Sequence, residues 1–300
     1  MDATNSTRWN ARVSLNRFLP PDVLRVGLIQ TTSSDRPEVN LQATKDLVAN
    51  AASNGAAFVL TPEVTNCVSM SRSHQASVLQ TEVEDITLAG LRASARDHAV
   101  WVLIGSLALK DPEGDGRFVN RSFLITPRGE IAASYDKIHM FDVSISKTET
   151  YHESDGYRPG AKASLADLDG IGLGMTICYD LRFPGLFRHL AQAGASILSV
   201  PSAFSPETGA AHWETLLRAR AIETGSFVLA PAQCGTHPAT EGRRRKTHGH
   251  SLAVDPWGRV LADGGDLPGV TMVDLNLSAV DDVRARLPSL FHDRPYGTVK

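Results

Sequence analysis

Residues 172–185 read GLGMTICYDLRFPG: a run of small and apolar residues up to Ile177, then Cys178, Tyr179, Asp180 and Arg182 with no spacer. The first half fits a buried strand, and the abrupt polar change fits a turn that opens at its C-terminal end. A lone cysteine is most often a small core hydrophobe. Cys178 therefore gains meaning only if other chemistry-bearing residues occupy the same kind of position.

Working outward, short apolar runs alternate with helical stretches. Strands are expected at 24–30, 56–62, 100–106, 121–127, 130–136, 171–177, 195–201, 226–232, 249–255, 258–263 and 269–275. Several are apolar almost throughout, as strands covered on both faces are. Helical periodicity fits 38–54, 84–98, 183–193, 210–225 and 278–287, and in the fourth Trp213, Leu216, Leu217 and Ala221 share a face. The alternation makes the class α/β. TPRGEI (126–131) and DPWGRV (255–260) read as hairpin turns, so the sheets are mixed. We expect one domain over 23–300, preceded by a polar leader at 1–22.

Two further polar residues close apolar runs as Cys178 does: Glu63 in FVLTPE and Lys137 in AASYDK. Residues at the C-terminal ends of strands line the crevice of α/β proteins. Converging there, a thiolate nucleophile, a carboxylate acid–base and an ammonium form a workable catalytic set. Lys137 and the Tyr179 N–H would then stabilise an oxyanion. Against this, a strand-end cysteine is more often inert packing, Glu63 after Pro62 fits a turn carboxylate, and Lys137 fits a solvated lysine. Separation in sequence does not bring the three together.

Other motifs carry less. GIGLG (170–174) is followed by Met175 and enters a strand rather than leaving one, which rejects a dinucleotide-binding loop. His248 and His250 of HGH lack a third ligand at metal spacing, so no metal is expected. His189 and His212 stand at no diagnostic spacing from Cys178. GRRRK (242–246) reads as a solvated loop or as a basic rim that attracts a carboxylated substrate.

Composition excludes whole classes. Of the 300 residues, 42% are hydrophobic and 21% charged, and the formal charge is −3. These are values of a soluble globular chain without attraction for polyanions, so neither nucleic acid nor membrane is an expected partner. The longest apolar runs are too short to span a bilayer. Three scattered cysteines without a CxxC pair suggest a reducing, cytoplasmic setting.

Taken together, TPEVTN, YDKIHMFDV, YHESDGYRPG, GLGMTICYDLRFP, PSAFSPETGAAHWETLLRARAIET, AQCG and GHSLAVDPWGRVLAD resemble the nitrilase superfamily of carbon–nitrogen hydrolases. The resemblance runs from about residue 24 to the end and is nearest to the branch of deaminated glutathione amidases, with omega-amidases as neighbours. It implies an αββα four-layer sandwich and a Glu63–Lys137–Cys178 triad, with Glu153 of YHES as a second glutamate that positions substrate and lysine. Tyr179, Arg182, Phe204 and His212 fall in matching segments near the site, and an Asp180–Arg182 salt bridge is an expected brace for the turn. The expected reaction is attack of Cys178 on a primary amide, loss of ammonia to leave a thioester, and hydrolysis to the acid. No cofactor is implied. The expected partner is a small carboxylated amide, deaminated glutathione first. Alternatives are α-ketoglutaramate, an N-carbamoyl amine or a nitrile, or a binding protein without turnover. A homodimer or larger homo-oligomer is implied, with LFHDRPYG (290–297) as an arm. Ala210, where relatives often have proline at a helix start, CVSMSRSHQASVL (67–79) and SISKTE (144–149) depart from the pattern.

Overall fold

The strands that read as continuous apolar runs are buried on both faces, and successive residues divide between two cores. Val26, Leu28, Phe58, Leu60, Leu103 and Leu124 pack into one, while Ile29, Val59, Val102, Ile104, Phe123 and Ile125 pack into the other. The structure, a computed structural model, describes residues 22–146 and 149–297. The expected leader thus lies outside the described residues apart from Asp22, as do Lys147 and Thr148 of SISKTE.

With elements numbered along the chain, the first sheet has the order β16 (Gly269–Asn276), β1 (Val23–Gln30), β2 (Phe58–Leu60), β3 (Trp101–Lys110), β4 (Phe118–Ile125) and β5 (Ile131–Asp136). The second has β15 (Val260–Asp263), β14 (Leu252–Val254), β11 (Phe227–Ala230), β10 (Ile197–Ser199), β9 (Ile171–Met175) and β8 (Ser164–Leu168). Helices α1 (Pro37–Ser53) and α3 (Ile86–His98) cover the outer face of the first through Val48, Ala51, Leu88, Leu91 and Ala95. Helices α4 (Pro184–Gln192) and α5 (Pro206–Thr224) join the core of the second through Phe187, Leu190, Trp213 and Leu217. The expected αββα order results.

Three central strands in each sheet are parallel: β1–β2–β3 and β9–β10–β11. β4 is antiparallel to both β3 and β5, so β5 runs with β2, and the chain after each emerges at the same end. The expected hairpins 126–131 and 255–260 join β4 to β5 and β14 to β15. A parallel bridge between Thr31 and Gln233 joins the sheets at the end where β1 and β11 finish.

Three corrections concern elements. α5 starts at Pro206, with the Ser205 side chain accepting from Thr208 N–H, so Ala210 is inside the helix and not at its start. A short α2 (Arg72–Val78) and the β6–β7 hairpin (Asp142–Ser146, Glu149–His152) were not expected from periodicity. Neither has an apolar stripe; only Gln75 of α2 is buried. Finally, β12 (Cys234–Thr236) pairs with β13 (Lys246–His248), bringing the basic loop back to the strand ends. No helix among the described residues is long and apolar enough to cross a membrane.

Candidate active site

Glu63, Lys137 and Cys178 line one cavity at the common strand ends, together with Glu153, Tyr179 and Phe204. The first three expose only 4%, 2% and 6% of their surface, which rules out the solvated-lysine reading. Lys137 leaves β5 with its N–H donating to Asn120 O at 3.0 Å and its carbonyl accepting from Gly160 N. Its Nζ donates to Glu63 Oε1 at 3.0 Å and to Glu153 Oε1 and Oε2 at 2.9 and 2.8 Å. Two carboxylates thus share one ammonium.

Glu63 is held at both oxygens. Oε1 also accepts from Asn120 Nδ2 at 2.9 Å, and Oε2 accepts from the Ala203 N–H at 2.8 Å. The loop that carries it is pressed on β3. A β-carbon on Gly105 would stand 1.9 Å from Thr61 O, so only glycine admits this approach. Burial alone would push the Glu63 carboxyl up. Lys137, Arg245 and hydrogen bonds from Cys178 and Lys137 outweigh it and hold the carboxyl below its ordinary range.

Cys178 opens a short 3₁₀ turn, Cys178–Arg182, at φ 50°, the left-handed region that non-glycine residues seldom occupy. Its N–H donates to Pro201 O at 3.0 Å. Asp180 keeps the turn in place: Oδ2 accepts from Ile177 N–H and Tyr135 Oη, both at 2.8 Å, and Oδ1 accepts from the His139 N–H at 3.1 Å and faces His139 Nδ1 at 2.7 Å. The expected Asp180–Arg182 brace is therefore replaced by a network from buried Asp180 to Tyr135 of β5 and to the partly exposed His139. Burial and the adjacent Glu63 anion raise the Cys178 thiol well above its usual value, despite Lys137.

Glu153 begins a 3₁₀ turn after the β6–β7 hairpin, and its Oε2 also accepts from Phe141 N–H at 2.6 Å. Tyr179 meets Phe141 edge-on at 5.1 Å, and Phe204 lies 4.8 Å from Trp213. Arg182 and His212 do not line this cavity. The Arg182 guanidinium lies over the Tyr179 and Phe204 rings at 5.9 and 5.7 Å and meets His212 Nδ1 at 3.3 Å. His212 borders a separate cavity with His248 and His250, where His250 pairs with Asp263 at 3.0 Å. His189 is on exposed α4 surface.

Residue patterns did not single out Asn120, Phe141 or Tyr151, which also line the cavity, while Cys67 and Arg72 reach it from the stretch 67–79 that departs from the family pattern. The signal for Asn120 was present: a polar residue facing inward just before the apolar run of β4. Cys67 turns its Sγ to Asp35 O at 3.7 Å, and burial with Asp35 pushes its thiol up to about 12.

Similarity to known proteins identifies the family. The carbon–nitrogen hydrolase family profile matches residues 25–285. A deaminated glutathione amidase of Yersinia enterocolitica is 40% identical over 277 residues, 90% of this chain and 92% of that one. The mouse deaminated glutathione amidase is 38% identical over 280 residues, 91% and 85% of the two chains. Among solved structures, the Caenorhabditis elegans NitFhit protein superposes with a TM-score of 0.83 at 35% identity, covering 91% of this chain and 65% of that one. A branch 10 member of the nitrilase superfamily from Saccharomyces cerevisiae gives 0.78 at 26% identity, over 89% and 94%. A family match across most of the length, with the same fold beneath it, establishes that this chain belongs to the carbon–nitrogen hydrolases of the nitrilase superfamily and is an amidase.

Proposed function

We propose that the chain hydrolyses the γ-amide of deaminated glutathione through a Cys178 thioester. The observation that carries the reading is the buried Glu63–Lys137–Glu153 bridge in one cavity with Cys178. Glu63 takes the thiol proton as Sγ attacks the amide carbonyl, so a free thiolate need not accumulate. Negative charge moves to the carbonyl oxygen, where Lys137 Nζ and the Tyr179 N–H stabilise it. Glu63 returns the proton to the departing nitrogen, the C–N bond breaks and the thioester remains. Water then attacks the thioester with Glu63 again as base, releasing the acid and restoring the thiol.

One expectation needs correction on chemical grounds. Deaminated glutathione contains no primary amide, so its leaving group is an amine, cysteinylglycine, and not ammonia. Ammonia would leave from α-ketoglutaramate, an N-carbamoyl amine or a nitrile. Similarity to deaminated glutathione amidases at 36–40% identity supports this substrate. By the same resemblance we propose a homodimer or larger assembly, checked by light scattering at micromolar concentration.

The test is to follow 2-oxoglutarate release from deaminated glutathione and α-ketoglutaramate, and acid formation from an N-carbamoyl amino acid and a nitrile, with Cys178→Ala alongside. The expected result is a kcat/KM highest for deaminated glutathione and no turnover in the variant. A higher value for another substrate overturns the substrate assignment, and turnover by Cys178→Ala overturns the thioester.

A further inference from the structure

Two arginines reach the cavity from different loops, and neither makes an ion pair with a carboxylate among the described residues, unlike Arg121, Arg158 and Arg220. Arg245, at the end of the basic loop, is half-buried. Its Nη2 donates to Ala203 O at 2.7 Å, while its Nε is buried with no hydrogen-bond partner. A buried, unpaired donor on a cation is costly, and such groups in cavities are completed by a ligand or solvent. Arg72, the first residue of α2, is exposed. Its guanidinium lies 5.0 Å from the Tyr157 ring centre and donates to Gln75 Oε1 at 3.1 Å. The space it fills exists because residue 156 is glycine; a β-carbon there would stand 2.0 Å from its Cζ.

We propose that Arg245 and Arg72 read the two carboxylates of the substrate, Arg245 the one on the acyl side and Arg72 the one on the leaving amine. The inference rests on the amidase reading above and assigns specificity within it. The order follows from position. Ala203 presents its N–H to Glu63 and its carbonyl to Arg245, so Arg245 stands one residue from the base. A 2-oxoglutaryl chain, whose carboxylate is only a few bonds from the scissile carbonyl, matches that inner place. Arg72 is at the solvent edge, where a longer leaving group ends. Ser71 Oγ donates to Glu241 Oε2 at 3.3 Å, so the two arginine-bearing loops meet at this rim.

Charge supports the assignment. Glu63, Glu153 and Lys137 sum to −1, which repels a dianion; adding Arg72 and Arg245 makes the ionised lining +1. A guanidinium supplies paired donors to a carboxylate, the strongest common form of charge-assisted recognition. It also explains why only one residue of the expected basic rim lines the cavity: Arg243, Arg244 and Lys246 do not.

The test uses four amides with one leaving-group skeleton: deaminated glutathione with both carboxylates, its C-terminal N-methylamide with the acyl-side one, N-(4-oxopentanoyl)cysteinylglycine with the leaving-side one, and the C-terminal N-methylamide of the latter with none. The wild-type preference for the acyl-side carboxylate, read between the two N-methylamides, should fall by about 10- to 100-fold in Arg245→Gln and partly return in Arg245→Lys. Arg72→Gln should reduce the preference for the leaving-side carboxylate, by up to about 5-fold at an exposed position, and leave the acyl-side preference intact. Equal losses on all four amides would overturn the proposal and make the arginines positioning residues. Calorimetric binding of the same compounds to Cys178→Ala separates the two readings. If wild type hydrolyses none of them, the amidase reading on these substrates fails. Carboxylate-dependent affinity lost in Arg245→Gln would still sustain the site, and unchanged affinity would overturn it.

Discussion

The strand ends and the rim of the cavity are built on different terms. Glu63 and Cys178 follow β2 and β9, strands covered on both faces, and Lys137 follows the half-exposed edge strand β5; all three lie at one end of the two sheets. Their side chains are buried and held by networks that run into neighbouring strands: Asn120 and Ala203 for Glu63, Asp180 for the Cys178 turn. The rim is made by α2, the β6–β7 hairpin and the loop before β13, polar segments without a core of their own. The proposed reading places reaction chemistry at the strand ends and substrate choice at the rim. That division is how one fold serves many amides.

The sharpest way to break the comparison is at the strand ends. Glu63→Gln keeps the shape and removes the proton acceptor, so kcat should drop by about 10³-fold. Trapping with deaminated glutathione followed by intact-protein mass should then show no acyl-enzyme build-up. A variant with near wild-type turnover would remove Glu63 from both half-reactions.

Lys137→Met tests rigidity in place of chemistry. It leaves Glu63 and Glu153 buried without their shared cation, and breaking a buried pair from one side costs about 3–5 kcal/mol. Urea unfolding measures this. A loss below 1 kcal/mol would mean that other donors carry the two carboxylates.

The same division explains what the sequence disclosed. The runs ending on Glu63 and Cys178 were legible because strands buried on both faces read as continuous apolar sequence, whereas the run before Lys137 is an edge strand with one face exposed. The meeting of the three residues was not legible, since it depends on β5 running with β2, a matter of pairing across 70 residues and more. Local signals were overlooked as well. Asp169–Gly170, both at positive φ, is the two-residue hairpin signature that joins β8 to β9, and Ser205–Pro206 is a helix start four residues before the one expected. The rim stayed illegible for a physical reason: α2 and the β6–β7 hairpin hold their form through polar contacts that leave no hydrophobic period.

A smaller effect should appear where the rim is tied to the sheets. His237 is buried between Ser33 O and Thr247 Oγ1, each 2.7 Å from a ring nitrogen, and its N–H donates to Arg245 O. Burial, with Arg245 near, pushes its pKa down to about 4. A histidine depressed in the folded state stabilises when neutral, and that contribution is lost as pH falls from its unfolded value near 6.5 toward 4. By pH 5 the loss is about 2 kcal/mol. Urea midpoints between pH 7.5 and 5 should fall in wild type and fall less steeply in His237→Gln. Parallel slopes would show that the loop does not depend on this neutral ring.

The smallest effect separates the cavity from its surroundings. Arg182 and His212 fall in segments shared with relatives, and position alone would make them substrate contacts. The structure puts them elsewhere: Arg182 caps the outer faces of Tyr179 and Phe204, and His212 borders another cavity. An exposed cation over an aromatic ring contributes about 0.5–1 kcal/mol. Arg182→Ala should therefore lower kcat/KM by no more than about fivefold, with the same factor for every amide in the series, because it acts only through the packing of two ring walls. His212→Ala should do less. The informative quantity is the ratio between substrates and not the size of the loss. If Arg182→Ala changed the preference for carboxylated amides as Arg245→Gln is expected to, the boundary between wall and lining would have to move outward to include it.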